Sequence, residues 1–141
     1  MRFWDSSAVL PLIVQESPTK ELRELLADDR DVVVWWGTET ECISALSRLE
    51  RQKDIAPPQL AAALDLLGEL AAAWHEVTPT TEVRDTAKRL LRIHPLTAAD
   101  ALQLAAAIVA SEGDRGSLEI VTLDLRLRDA AERQGFARVL P

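Results

Sequence analysis

The chain has 141 residues, is 48% hydrophobic, and sets 23 acids against 16 Lys and Arg for a formal charge of -7. At roughly 100–200 residues per domain, and with about two thirds of the unfolded surface buried at this size, residues 1–141 are expected to form a single self-supporting domain. One cysteine, Cys42, excludes an intramolecular disulfide and a multi-thiolate zinc site, and the acidic balance excludes coating of nucleic acid or anionic membrane by bulk charge.

The elements follow in chain order. Residues 2–5 read as a short strand. Residues 7–15 and 18–28 read as helices, with Pro18 in a first turn after Ser17. The β-branched run at 31–36 reads as a buried strand. Residues 39–52 read as a helix, with Cys42, Ile43, Ala45, Leu46 and Leu49 recurring at helical spacing. Pro57-Pro58 opens another helix over about 58–73, with Leu60, Leu64, Leu67 and Ala71 on one face. A short strand is expected at 75–79, helices at 81–92 and 97–111, and a strand at 118–123. A helix at 125–134 ends at Gly135 in the C′ position, and 136–140 is a last strand. Alternating strands and helices imply a parallel sheet covered on both faces. The longest apolar run, Leu104 to Ala110, is far shorter than the ~18 residues of a membrane span. Asp5 interrupts what would be the apolar region of a signal peptide. A soluble cytoplasmic protein is expected.

Several site types are missing from the chain. It has no G-x-G-x-x-G, no phosphate-binding P-loop and no G-x-S-x-G elbow. His75 and His94 lack metal-ligand spacing. Carboxylates remain. Asp5 and Asp124 end predicted strands, where ligands of parallel sheets bind, and Glu41 and Asp100 lie near helix starts. Each also fits a cap: Thr38-x-x-Glu41 and Thr97-x-x-Asp100 have the form of capping boxes, and Asp5 and Asp124 suit N-caps. Taken jointly, four carboxylates in one pocket repel unless a cation holds them. Oxygen ligands without His or Cys select Mg²⁺ or Mn²⁺ over zinc.

The segments "WDSSAVL", "E-x-x-x-AL-x-R" from Glu41, "L-x-x-x-DALQLAAA" around Asp100 and "VTLDxRLRDAAERQGF" together resemble a PIN-domain ribonuclease. Nearest are the VapC toxins of bacterial toxin–antitoxin pairs. The resemblance spans nearly the whole chain in order. It implies an α/β/α sandwich around a mostly parallel sheet, and an Mg²⁺ or Mn²⁺ ion held by Asp5 and Asp100. Glu41 and Asp124 match further acidic positions, and Ser6 and Thr122 match small polar residues beside the site. It also implies hydrolysis of RNA phosphodiesters, a homodimer, and silencing by a small antitoxin. Between Glu39 and Glu41, which cannot share a direction, the family spacing selects Glu41.

On this reading Asp5 and Asp100 hold the main ion and Glu41 orients or deprotonates the attacking water. Asp124 completes the cluster, with one ion or two. Basic residues are expected to rim such a site: Arg126 and Arg128 after Asp124, the Arg84, Lys88 and Arg92 stripe, and Arg48 and Arg51 after Glu41. An ordinary solvated helix face explains the stripe equally well. Trp4, Trp35 and Trp36 are expected in the core or an interface, and Trp74 at the surface. Two rivals are weaker. A phosphoacceptor receiver domain needs a late lysine, and no lysine follows Lys88. A non-catalytic PIN-like interaction module does not need all four acids.

Overall fold

The computed structural model describes residues 1–14 and 19–141. Its strands are β1 (Arg2–Trp4), β2 (Val32–Trp35), β3 (His75–Val77), β4 (Glu119–Val121) and β5 (Val139–Leu140). Its helices are α1 (Ser6–Ile13), α2 (Thr19–Asp28), α3 (Thr38–Arg51), α4 (Pro57–Ala71), α5 (Thr81–Ile93), α6 (Ala98–Ala110) and α7 (Leu125–Arg133). Every expected element forms, within a few residues at each end. The expected helix start at Pro18 lies outside the described residues.

The strands make one parallel sheet in the order β3-β2-β1-β4-β5. Phe3 pairs with Val33 on one side and Ile120 on the other, which sets the register of the three central strands. Successive strand residues point to opposite faces, and the two cores divide accordingly. Phe3, Val33 and Ile120 pack under α5, α6 and α7. Trp4, Val34 and Val121 pack under α1, α2, α3 and α4. The result is the expected three-layer α/β/α sandwich, with apolar strands buried on both faces as parallel sheets require.

Strand order also positions the site. From β1 the chain steps outward through β2 and β3, then crosses back to place β4 on the other side of β1. The order reverses between β1 and β4, and a crevice forms outside the C-terminal ends of such neighbouring strands.

Trp36, expected in the core or an interface, lies outside the core at 55% exposure: β2 ends at Trp35 and Gly37 N-caps α3, so Trp36 lies beyond the last sheet position. One expectation about packing is corrected. Trp74 is buried under the second core, not exposed, and its Nε1 donates to Glu76 Oε1 at 3.2 Å. On α4, Ala63 and Leu67 face the core while Leu64 lies outward.

Candidate functional site

Each of the four acids is delivered by a local structural rule. Asp5 follows β1 and N-caps α1. Its Oδ2 accepts from Ser7 N at 3.2 Å, Ser7 Oγ at 2.5 Å and Thr122 Oγ1 at 3.0 Å. Its Oδ1 has only a long 3.4 Å contact from Ser6 Oγ. Glu41 lies in the first turn of α3, and its Oε2 accepts from Ser6 Oγ at 2.7 Å and Gln103 Nε2 at 3.2 Å. Asp100 closes a capping box on α6: Oδ2 accepts from Thr97 N, and Asp100 N donates back to Thr97 Oγ1. Asp124 N-caps α7, with Oδ1 accepting from Arg126 N at 2.8 Å and Leu127 N at 2.9 Å.

These contacts reconcile the two readings of the acids. The structural bonds of Glu41, Asp100 and Asp124 each use one carboxylate oxygen, and among the described residues no protein donor reaches the other. Capping orients the side chain and leaves an oxygen for a ligand. One capping box does not form: Gly37 caps α3 without a side-chain bond. Thr38 is buried, its hydroxyl accepts from Gln103 at 3.1 Å, and Glu41 reaches across to Ser6 and Gln103.

Asp5, Glu41, Asp100 and Asp124 all line one open cleft of about 530 Å³, with Ser6, Ser7 and Arg48 among its walls. Glu39 does not line it. Thr122, fully buried, bridges the two sides: its hydroxyl donates to Asp5 and accepts from Asp124 N at 3.1 Å. Two positioning groups escape a reading of sequence motifs. Ser7 donates to Asp5 and accepts from Leu123 N at 2.9 Å, tying the β4–α7 loop to β1. Gln103, 1% exposed, ties Glu41 to Thr38. Its signal was an amide at a buried position of the otherwise apolar stretch after Asp100.

The electrostatics follow from this placement. Burial raises the pKa of Asp5; the Ser7 and Thr122 bonds oppose the shift, and the charge of Asp100 adds to it. Burial also raises Glu41, against the bonds from Ser6 and Gln103 and with help from Asp5 and Asp100. Cys42 lines the same cleft, but burial and the charges of Glu41, Asp5 and Glu39 push its thiol up to about 12. A thiolate is therefore unavailable at neutral pH, and the ionised donors here are oxygens alone, a set that suits Mg²⁺ or Mn²⁺. Among the described residues no three His, Cys, Asp or Glu side chains draw together as a complete ion site. Mg²⁺ tolerates this, because it keeps several waters and binds through one or two carboxylates plus phosphate oxygens.

Of the basic residues expected to rim the site, Arg48 is among those that line it. None of Arg84, Lys88, Arg92, Arg126 and Arg128 lines the acidic cleft. Lys88 pairs with Asp85 at 3.1 Å, and Arg89 donates to Thr86 at 2.8 Å. Arg84 lines a separate cavity of about 320 Å³ with Trp35 and Leu102. The basic residue of the acidic cleft is Arg48.

A fold with this strand order and an acidic cleft at its reversal defines a class. The PIN domain family model matches residues 2–133, and the chain belongs to that family. PIN domains are generally nucleases that use divalent metal ions. Solved structures agree on the fold. A toxin–antitoxin complex from Klebsiella pneumoniae superposes with a TM-score of 0.69 at 13% identity, covering 100% of this chain and 97% of that one. FitAcB from Neisseria gonorrhoeae gives 0.68 at 16% identity, over 100% and 97%. FitAB bound to an IR36 DNA fragment gives 0.67 at 14% identity, over 99% and 94%. No curated protein matches the chain in sequence. Among the described residues no helix is long and apolar enough to cross a membrane.

Proposed function

We propose that residues 1–141 act as one PIN domain, a divalent-metal-dependent endoribonuclease that serves as the VapC-type toxin of a toxin–antitoxin pair. The observation that carries this is the convergence of Asp5, Glu41, Asp100 and Asp124 on one cleft, the last three each oriented through one oxygen and Asp5 chiefly through Oδ2. That a solved structure of this fold is a toxin–antitoxin complex supports the toxin role and a small antitoxin as partner. The cytoplasm and a homodimer complete the reading.

Asp5 and Asp100 would hold the main Mg²⁺ or Mn²⁺ ion. Bound there, the ion supplies Lewis-acid polarisation of the scissile phosphate and lowers the pKa of the attacking water. Ser7 and Thr122 fix Oδ2 of Asp5 and leave Oδ1 with only the long contact from Ser6 Oγ. Glu41 faces the same space on the opposite wall. Its raised pKa suits a group that takes a proton from the incoming water. Ser6 and Gln103 hold its Oε2, leaving Oε1 for that transfer. Asp124 orients the strand-end loop and adds negative charge for a further or water-mediated ligand.

Expression of the wild type and of Asp5→Asn in a bacterial host, with RNA profiling, tests this. Growth arrest with discrete RNA cleavage in the wild type alone is expected. Equal cleavage in Asp5→Asn, or none in either, contradicts it; the second outcome leaves the fold as a non-catalytic interaction module.

A further inference from the structure

Among the described residues, the walls of the acidic cleft carry one cation, Arg48. Helices α1 and α3 form these walls. Ser6, Ser7 and Leu10 come from α1; Glu41, Ala45 and Arg48 come from α3 at the four- and three-residue steps of one helix face. The acids gather at the N-terminal ends of both helices. Arg48 lies seven residues beyond Glu41, about 10 Å farther along the helix axis. Its side chain is exposed and enters no ion pair with a described residue. The other rim candidates differ: Lys88 is paired with Asp85, and Arg51 does not line the cleft.

That separation decides which phosphate Arg48 meets. A stacked nucleic-acid strand advances about 3.4 Å per phosphate and an extended one more, so ~10 Å corresponds to roughly one to three nucleotides. Building on the ribonuclease reading above, we infer that Arg48 binds a phosphate flanking the scissile one. The single strand then runs from the carboxylates along the α1–α3 channel, past Leu10 and Ala45. A guanidinium suits this task, since it is always charged and can grip phosphate through two N–H groups. It also explains how a strand enters an acidic cleft: the favourable contact lies outside the repulsive one.

The test compares Arg48→Gln with Arg51→Gln on single-stranded oligoribonucleotides of increasing length, with Mg²⁺ present. For Arg48→Gln, KM on a long substrate should rise by about tenfold while kcat stays within about twofold. The log–log salt slope of RNA binding should fall by about 0.7. The KM penalty should shrink on a dinucleotide, which lacks the flanking phosphate. Arg51→Gln should match the wild type, and Arg48→Lys should recover part of the loss. Melting temperature and Mn²⁺ binding like those of the wild type establish that Arg48→Gln is folded with its ion site intact. An unchanged KM, or the same penalty on a dinucleotide as on a long strand, overturns the inference. In that case Arg48 only offsets the carboxylates. A wild type that leaves all RNA intact is a different result, and removes the ribonuclease reading itself.

Discussion

At the N-terminal edge of the sheet, charge meets charge. Arg2, only 7% exposed, donates to Glu119 at 2.6 Å, Asp28 at 2.7 Å and the Leu25 carbonyl at 2.6 Å. Arg138 also pairs with Glu119, and the terminal amine pairs with Asp29. At the C-terminal edge, Asp5 and Glu41 are equally structured but held by hydroxyls, a backbone amide and the Gln103 side chain. Neutral donors orient a carboxylate without cancelling its charge. The first edge spends its acids on stability, and the second keeps them available to a cation from outside.

Substitutions at the two edges should therefore separate stability from activity. Asp5→Asn or Asp100→Asn should lower RNA cleavage by at least about a hundredfold, with denaturation midpoints near the wild type, as measured on a labelled oligonucleotide and by urea unfolding. At the other edge, Arg2→Met should leave the folded fraction active but lose about 2–3 kcal/mol of stability, because it removes the donor to the Leu25 carbonyl and leaves Glu119 with Arg138 as its one remaining cation among the described residues. Unfolding in urea measures that loss. A loss of cleavage without a loss of stability in Arg2→Met would erase the contrast.

Smaller effects sharpen it. Gln103→Leu keeps the volume but frees Glu41 and Thr38, so kcat should fall by about tenfold with Mn²⁺ affinity little changed. Equal kcat would remove Gln103 as a positioning residue. The pH response should be smaller still. Asp5 and Glu41 have folded pKa values raised chiefly by burial. Their contribution to stability is fully present below the ordinary carboxyl range and is lost as pH rises through the raised values. With a chelator present, the wild type should thus gain stability relative to Asp5→Asn as pH falls toward that range. Melting curves of the two proteins across pH measure the difference. A gap that widens in the opposite direction would contradict it.

Much of this was legible in the sequence, because strand ends and helix starts write themselves locally. Asp5 and Asp124 were readable as residues that follow apolar strands, and Thr97 with Asp100 as a box. Glu41 was readable over Glu39 by family spacing, and its carboxylate does face the cleft. Other features depend on contacts distant in the chain. Gln103 meets Glu41 across 62 residues and Ser7 meets Leu123 across 116, which no local pattern encodes. Which basic residues line the cleft also depends on the helices that carry them. Arg126 and Arg128 are close to Asp124 in sequence, but they lie on α7 and are not among the residues that line the cleft. Arg48 stays in it because seven residues return α3 to the face of Glu41. Trp74 was misplaced at the end of an element, where one residue of boundary decides burial.

The central claim is that the four carboxylates act together as a divalent-ion site. Calorimetric titration of Mn²⁺ into the wild type, Asp5→Asn and Asp100→Asn tests it most directly. Saturable binding in the wild type that is lost in both variants is the predicted result. No binding in the wild type, or undiminished binding in both variants, would contradict it.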